Sequence, residues 1–374
     1  MSLRQKIEEE IRQRGPLPFS RYMEMCLYDA ERGYYAAHTQ QFGKAGDFYT
    51  SSDVHAVFGR LLARQFEEMW RALGSPPSLE VVELGPGRGL FAQDVLDWSE
   101  KKFPEFFRAL RYMLVEASPA LRQRVAEILA QHTQAGKATI YSSIEELPKQ
   151  LPAPTIVFAN ELFDALPVEV VSDRGELRIG WDRGGFAESF VPATAATLEF
   201  LDRYGVHPEG GERVEAALTA QQHMRAIANR IGSGFVIVID YGYTREEQLA
   251  GRHRGTVTAF RRHTISPTPY QAPGEQDITA HVNFTALEAA GWEGGMEPLA
   301  LLTQAQFLMG IGEANQFADA FADTMLPQEQ AKVALQLKHL VTPAGMGESF
   351  HVLLMSKGVD AASAQGLSGL KFAR

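Results

Sequence analysis

A short apolar run followed at once by three closely spaced glycines, VVELGPGRGLF over residues 81–91, limits the folds open to this chain more than any other feature. The apolar run reads as a buried strand, and LFAQDVLDWSEKKF after it reads as a helix. A strand that enters a helix through a glycine turn is the opening unit of a doubly wound sheet. In such sheets the ligand lies beyond the C-terminal ends of the parallel strands.

The segments on either side fit that plan. LEVVELG, LRYMLVEAS, ATIYSS, PTIVFAN and FVIVIDYG read as five buried strands, with PALRQRVAEILAQH as a helix carrying Pro119 in its first turn. SFHVLLMSK reads as a last strand. The spacing predicts an α/β fold: a Rossmann-like doubly wound sheet with an N-terminal helical cap over 1–75 and large insertions. In the cap, Leu3, Ile7 and Ile11 make one helix face. Ser20 is the expected N-cap of a helix with Gly33 just past its end, and a helix closed by Gly74 carries the stripe Val54, Val57, Phe58, Leu61, Leu62, Phe66 and Met69. The core spans 76–241 and is interrupted over about 168–232 by an antiparallel meander and a long helix, GERVEAALTAQQHMRAIANRIG. Residues 242–348 read as an insertion, polar loop over 243–285 and then two helices between 303 and 341; 349–374 return to the core.

The turn itself selects its ligand. No Lys–Ser/Thr follows the glycines, so a P-loop is excluded. The spacing is G-x-G-x-G, with Leu90 where a dinucleotide fingerprint needs its last glycine, and Glu83 at the strand tip would repel a pyrophosphate. A cationic, phosphate-free cofactor reverses that conflict. S-adenosyl-L-methionine carries a positive sulfur and a zwitterionic tail. Glu83 can organise the loop and meet the ammonium directly or through water, while Gly85, Pro86, Gly87 and Gly89 bring backbone amides close to the carboxylate. These features mark the sheet as that of a class I methyltransferase. Glu116, ending the second strand, falls where the ribose hydroxyls need an acceptor, and Ser142, Ser143 and Ile144 are candidates for the adenine pocket.

The acceptor belongs at the tip of the fourth strand, ANELFDALPVE. Asn160, Glu161 and Asp164 are the candidates there. In a helix the two carboxylates share a face and can grip a guanidinium or ammonium. The alternative is a capping Asn160 with solvated acids. Asp240 and Tyr241 are candidates to line the same mouth, and the spacing of His253, His263 and His281 matches no recognised metal pattern.

Composition narrows the partners. A formal net charge of −10 disfavours nucleic acid, no apolar run is long enough for a membrane span, and a single cysteine, Cys26, permits no internal disulfide. The N-terminal stretch MSLRQKIEEEIRQRG has neither the apolar core of a signal peptide nor the acid-poor character of a mitochondrial address, so a cytoplasmic location is expected.

The chain resembles, nearly end to end, the MidA-like group of S-adenosylmethionine-dependent methyltransferases. The resemblance rests on DAERGYYA, FGKAGDFYTSSDVHAVFG, VVELGPGRG, LVEASPALR, NELFDALPV, DYGY, PGEQDITAHVNF and MGESF. That group includes the mitochondrial methyltransferase of complex I assembly, which modifies an arginine of a protein. The resemblance implies that Gly46, Asp47, Phe48, Thr50 and Ser51 close over the cofactor, and that the acceptor is a protein arginine. Two positions depart from the group's pattern: Asn283 stands where Asp is usual, and Ser349 where a basic residue is usual. A cofactor-binding assembly factor without transfer activity, and more remotely an NAD-dependent oxidoreductase, are the alternative functions.

Overall fold

The structure, a computed structural model, describes residues 1–37, 56–261, 264–266, 268–322, 324 and 326–373. Its central sheet contains β1 (Leu79–Leu84), β2 (Leu110–Val115), β3 (Ala138–Tyr141), β4 (Thr155–Asn160), β5 (Gly234–Tyr243), β6 (Glu297–Thr303) and β7 (Phe350–Lys357), in the order β6-β7-β5-β4-β1-β2-β3. Strands β1 to β5 are mutually parallel, and β7 runs antiparallel to β5 and to β6. The order reverses between β1 and β4. That switch point opens a crevice at the C-terminal strand ends.

Alternation along each strand supplies two cores. Val82, Leu84, Val157, Val236, Val238, Leu353 and Met355 face one layer, with the helices Leu3–Arg14, Phe19–Tyr28, Leu218–Arg230 and Phe284–Glu293. Val81, Ile156, Phe158, Phe235, Ile237 and Leu354 face the other, with Ala56–Ala72, Leu90–Lys102 and Gln304–Glu313. Burial on both faces is why these strands read as continuous apolar runs rather than as alternating ones. In the second layer Phe91 stacks on Phe158 with centroids 4.5 Å apart.

The meander is Glu169–Ser172, Gly175–Asp182 and Gly185–Val191, antiparallel as expected, with Arg183, Gly184 and Gly175 at positive φ in its turns. Five expectations need correcting. The long helix begins only at Leu218, because Arg213–Ala216 is a strand paired with Glu169–Ser172. Ser20 caps nothing: the helix starts at Phe19 and ends at Tyr28, and the Ser20 hydroxyl donates to Glu169. Within 242–348, Glu297–Thr303 is a strand of the central sheet, and the polar stretch contains a small antiparallel sheet, Thr258–Arg261, Thr264–Ile265 and Asp277–Thr279. Between 303 and 341 the described residues form three helices, not two: Gln304–Glu313, Ala318–Phe321 and Pro327–Val341. The residues of 1–75 also divide: Leu17–Pro18 joins the meander, whereas Ala56–Ala72 packs on Leu90–Lys102 in the core layer.

Candidate active site

Three cavities meet around the crevice. The smallest, about 110 Å3, is lined by Gly85, Pro86, Gly87, Glu116, Asn160 and Glu161. A second, about 330 Å3, lies toward β3 and is lined by Glu116, Ser142, Ser143, Ile144 and Leu166. The third, about 690 Å3, lies toward β5 and β7 and is lined by Glu161, Tyr241, His253, His281, Ser349 and His351.

The glycines of the turn divide their work. Gly85 has φ +66, and a Cβ there would stand 2.9 Å from Leu162 Cδ1. Gly87 has φ +54, and a Cβ there would project into open space. That space is what a ligand approaching the backbone requires. Gly89, at φ +80 beside Val125, is the left-handed N-cap of Leu90–Lys102 and lines neither of the first two cavities. Its role is helix entry.

Glu83 does not reach the cavities. Leu84 faces the crevice layer, so its neighbour Glu83 must face the other way. There it is buried and accepts a hydrogen bond from the Tyr112 hydroxyl at 2.9 Å. Burial raises its pKa to about 8, against the lowering effect of Tyr112. It is thus a support beneath the turn and makes no direct contact there. Glu116 is placed as expected, in the lining of both the first and second cavities. Its carboxylate accepts from Ser118 N at 2.8 Å, and burial raises its pKa to about 7. Ser142 lines the second cavity, with its hydroxyl donated to Glu146 at 2.6 Å.

The tip of β4 is not an α-helix. Glu161 is at φ +50, and a single 3-10 turn follows over Phe163–Ala165. The two carboxylates therefore part. Glu161 lines both the first and the third cavity, and accepts from Asn160 Nδ2 at 3.0 Å. Asp164 lines neither. It is buried, with Oδ2 accepting from the Tyr241 hydroxyl at 2.5 Å and Oδ1 lacking a hydrogen-bond partner among the described residues. The strained tip is anchored by Asp240, wholly buried in β5, whose Oδ2 accepts from Phe163 N at 3.0 Å and Asp164 N at 3.2 Å. Burial first, then the neighbouring Asp164 and Glu161, pushes the Asp240 pKa well up. Two buried carboxylates that repel each other do not readily ionise together.

Sequence reasoning missed Tyr28 and Tyr35. Both line the first cavity; Tyr28 donates to the Ala165 carbonyl at 3.1 Å and Tyr35 to Asp277 at 3.2 Å. Their signal lay in two of the three tyrosines of CLYDAERGYYA, a segment read as helix and stop and, in DAERGYYA, as part of the resemblance, without a role at the site. Ser349 lines the third cavity, whereas Asn283 lines none of the three. It caps Phe284–Glu293 through Ala286 N at 2.9 Å and donates to the Tyr204 carbonyl at 2.8 Å. Gly46, Asp47, Phe48, Thr50, Ser51, Val54 and His263 lie outside the described residues.

Glu116 and an open glycine backbone in the lining of one crevice fit an adenosyl sulfonium cofactor. Comparisons with known proteins agree. Residues 61–301 match the family described as "Putative S-adenosyl-L-methionine-dependent methyltransferase". The Drosophila melanogaster protein arginine methyltransferase NDUFAF7 homolog, mitochondrial, is 30% identical over 397 residues, covering 96% of this chain and 86% of its own. Its Danio rerio counterpart is 31% identical, covering 90% and 82%. A Burkholderia thailandensis protein solved with S-adenosyl-homocysteine superposes with a TM-score of 0.85 at 29% identity, covering 99% of this chain and 95% of that one.

Proposed function

Since this chain belongs to the S-adenosyl-L-methionine-dependent methyltransferase family, we propose that it methylates an arginine side chain of a protein, with Glu161 positioning the guanidinium. The observation that carries the reading is that Glu161 lines both the glycine cavity and the large third cavity. When bound, the cofactor supplies an activated methyl group on sulfur. Gly85, Gly87 and Glu116 would hold it, with Ser142, Ser143 and Ile144 beside the adenine; the chain's other task is to orient the acceptor nitrogen. A guanidinium keeps its charge in water, so a carboxylate that meets it at a fixed point both binds and aligns it. The names of the relatives support arginine as acceptor. The single, buried Cys26 supports a reducing, cytoplasmic setting.

The test is incubation with methyl-labelled S-adenosyl-L-methionine and a lysate from a strain lacking the protein, followed by acid hydrolysis. Labelled N-methylarginine is the expected product. Glu161→Gln should slow its formation by about 100-fold, the loss typical of misaligned reactants, with affinity for S-adenosylhomocysteine preserved. Label on another residue type overturns the arginine reading. Full biological function of Glu161→Gln would favour an assembly factor that binds cofactor without transferring methyl.

A further inference from the structure

The third cavity holds an imidazole pair that the reading above leaves unused. His253 Nδ1 and His281 Nδ1 are 3.1 Å apart. One proton fits between them, so one ring donates and the other accepts. The pair is firmly held. His253 stacks on Tyr243, centroids 5.3 Å and planes 14° apart, and His281 meets Tyr241 edge-on at 5.3 Å. His281 N donates to Thr256 Oγ1 at 3.1 Å, and its neighbour Ala280 N donates to the Asp164 carbonyl at 2.9 Å. His281 therefore stands against the turn that carries Glu161, and both residues line one cavity.

Resting on the arginine reading, we propose that His281 takes the proton that the acceptor nitrogen gives up, and that His253 passes it on to water. The balance is simple. The N–C bond forms as the S–C bond breaks, sulfur keeps the electron pair, and the nitrogen must shed one proton. His281 Nε2 accepts it, the His281 Nδ1 proton moves to His253 Nδ1, and His253 releases its own Nε2 proton to solvent. Exchange with water restores the starting tautomers.

The charges around the pair suit this role. Glu161, Glu247, Arg252, His339, Glu348 and His351 share the cavity. Arg252 pairs with Glu247 at 3.7 Å. Burial, reinforced by His253, lowers the His281 pKa to about 4, so its ring is a free base at neutral pH despite the acids nearby. A weak base suffices. A guanidinium that gains a methyl before losing a proton carries a second positive charge, which makes that proton strongly acidic. A carboxylate gripping the guanidinium stays ionised and keeps its charge for binding.

The experiment uses the same labelled cofactor and lysate with the full-length protein. His281→Ala should slow N-methylarginine formation about 100-fold or more, as loss of a general base does, and leave S-adenosylhomocysteine affinity within about twofold. Added imidazole should restore the rate in proportion to its free-base fraction, which a structural role would not produce. Spectra of [15N]histidine-labelled protein at pH 7 should show a neutral His281 protonated on Nδ1. His281→Ala at the parent rate, a slow variant that binds S-adenosylhomocysteine yet is not rescued, or a cationic His281 at pH 7 would each overturn the proposal and leave the arginine reading standing. No N-methylarginine from the parent protein would overturn both.

Discussion

Gly85 and Gly87 sit two residues apart in one turn and should respond differently to the same methyl group. At Gly85 an alanine Cβ meets Leu162 and the left-handed φ resists it, so Gly85→Ala should cost about 1–2 kcal/mol of stability. It should also weaken S-adenosylhomocysteine binding. At Gly87 the protein leaves room, so Gly87→Ala should lose affinity by at least about tenfold with a smaller effect on folding, only the φ penalty remaining. Parallel melting curves and calorimetric titrations separate the two. A Gly87→Ala variant that binds normally would mean the ligand does not approach that backbone. Such residue-level detail was only partly legible beforehand. The glycines, Glu116 and Glu161 are fixed by their place at strand ends, which sequence spacing reports. Which way Glu83 points follows from the pleat of a single strand, and a one-residue offset at the strand tip reverses it. Asp164 was misplaced for a related reason: a left-handed residue at Glu161 breaks the helical spacing on which pairing the two acids depended.

At the scale of elements, the strands buried on both faces and the amphipathic helices were readable because periodicity and length encode them. The failures cluster where tertiary partners override local pattern. Arg213–Ala216 carries a helix-compatible sequence, yet it completes the meander by pairing with Glu169–Ser172. Strand β6, EPLALLT, contains a proline and no strict alternation; its place comes from β7, along which it forms the sheet edge with an irregularity at Pro298/Ala300. Asn283 belongs to this scale as well. Because it caps Phe284–Glu293 and also bonds the Tyr204 carbonyl, Asn283→Asp should keep the cap but lose the second bond, whereas Asn283→Ala loses both. Chemical denaturation should rank the two, with Asn283→Ala less stable than the parent by about 1–3 kcal/mol. Equal stability of all three proteins would show that the cap is not holding this helix.

Across the whole molecule, the buried acids set the pH response. Burial raises the pKa of Glu83 to about 8 and those of Glu116 and Glu215 to about 7. Each binds its proton more tightly when folded, so its contribution is full below the unfolded pKa and is lost as pH climbs through the folded value. His281 works in the other direction, because its lowered pKa makes stability rise with pH until its unfolded value of 6.5 is passed. Between pH 6.5 and 8 the acids act without that opposition, and the melting temperature should fall across this interval. Glu83→Gln should flatten the slope. A melting temperature that rises from pH 6.5 to 8 in the parent protein would contradict it.

The bond from Ala280 N to the Asp164 carbonyl ties the turn after Glu161 to the segment that carries Thr279 and His281 into the third cavity. If either ligand displaces that seam, the other must feel it by the same free energy, since linkage between two bound partners runs equally in both directions. A cofactor that changes the affinity for a cationic side chain would have its own affinity changed by the same factor.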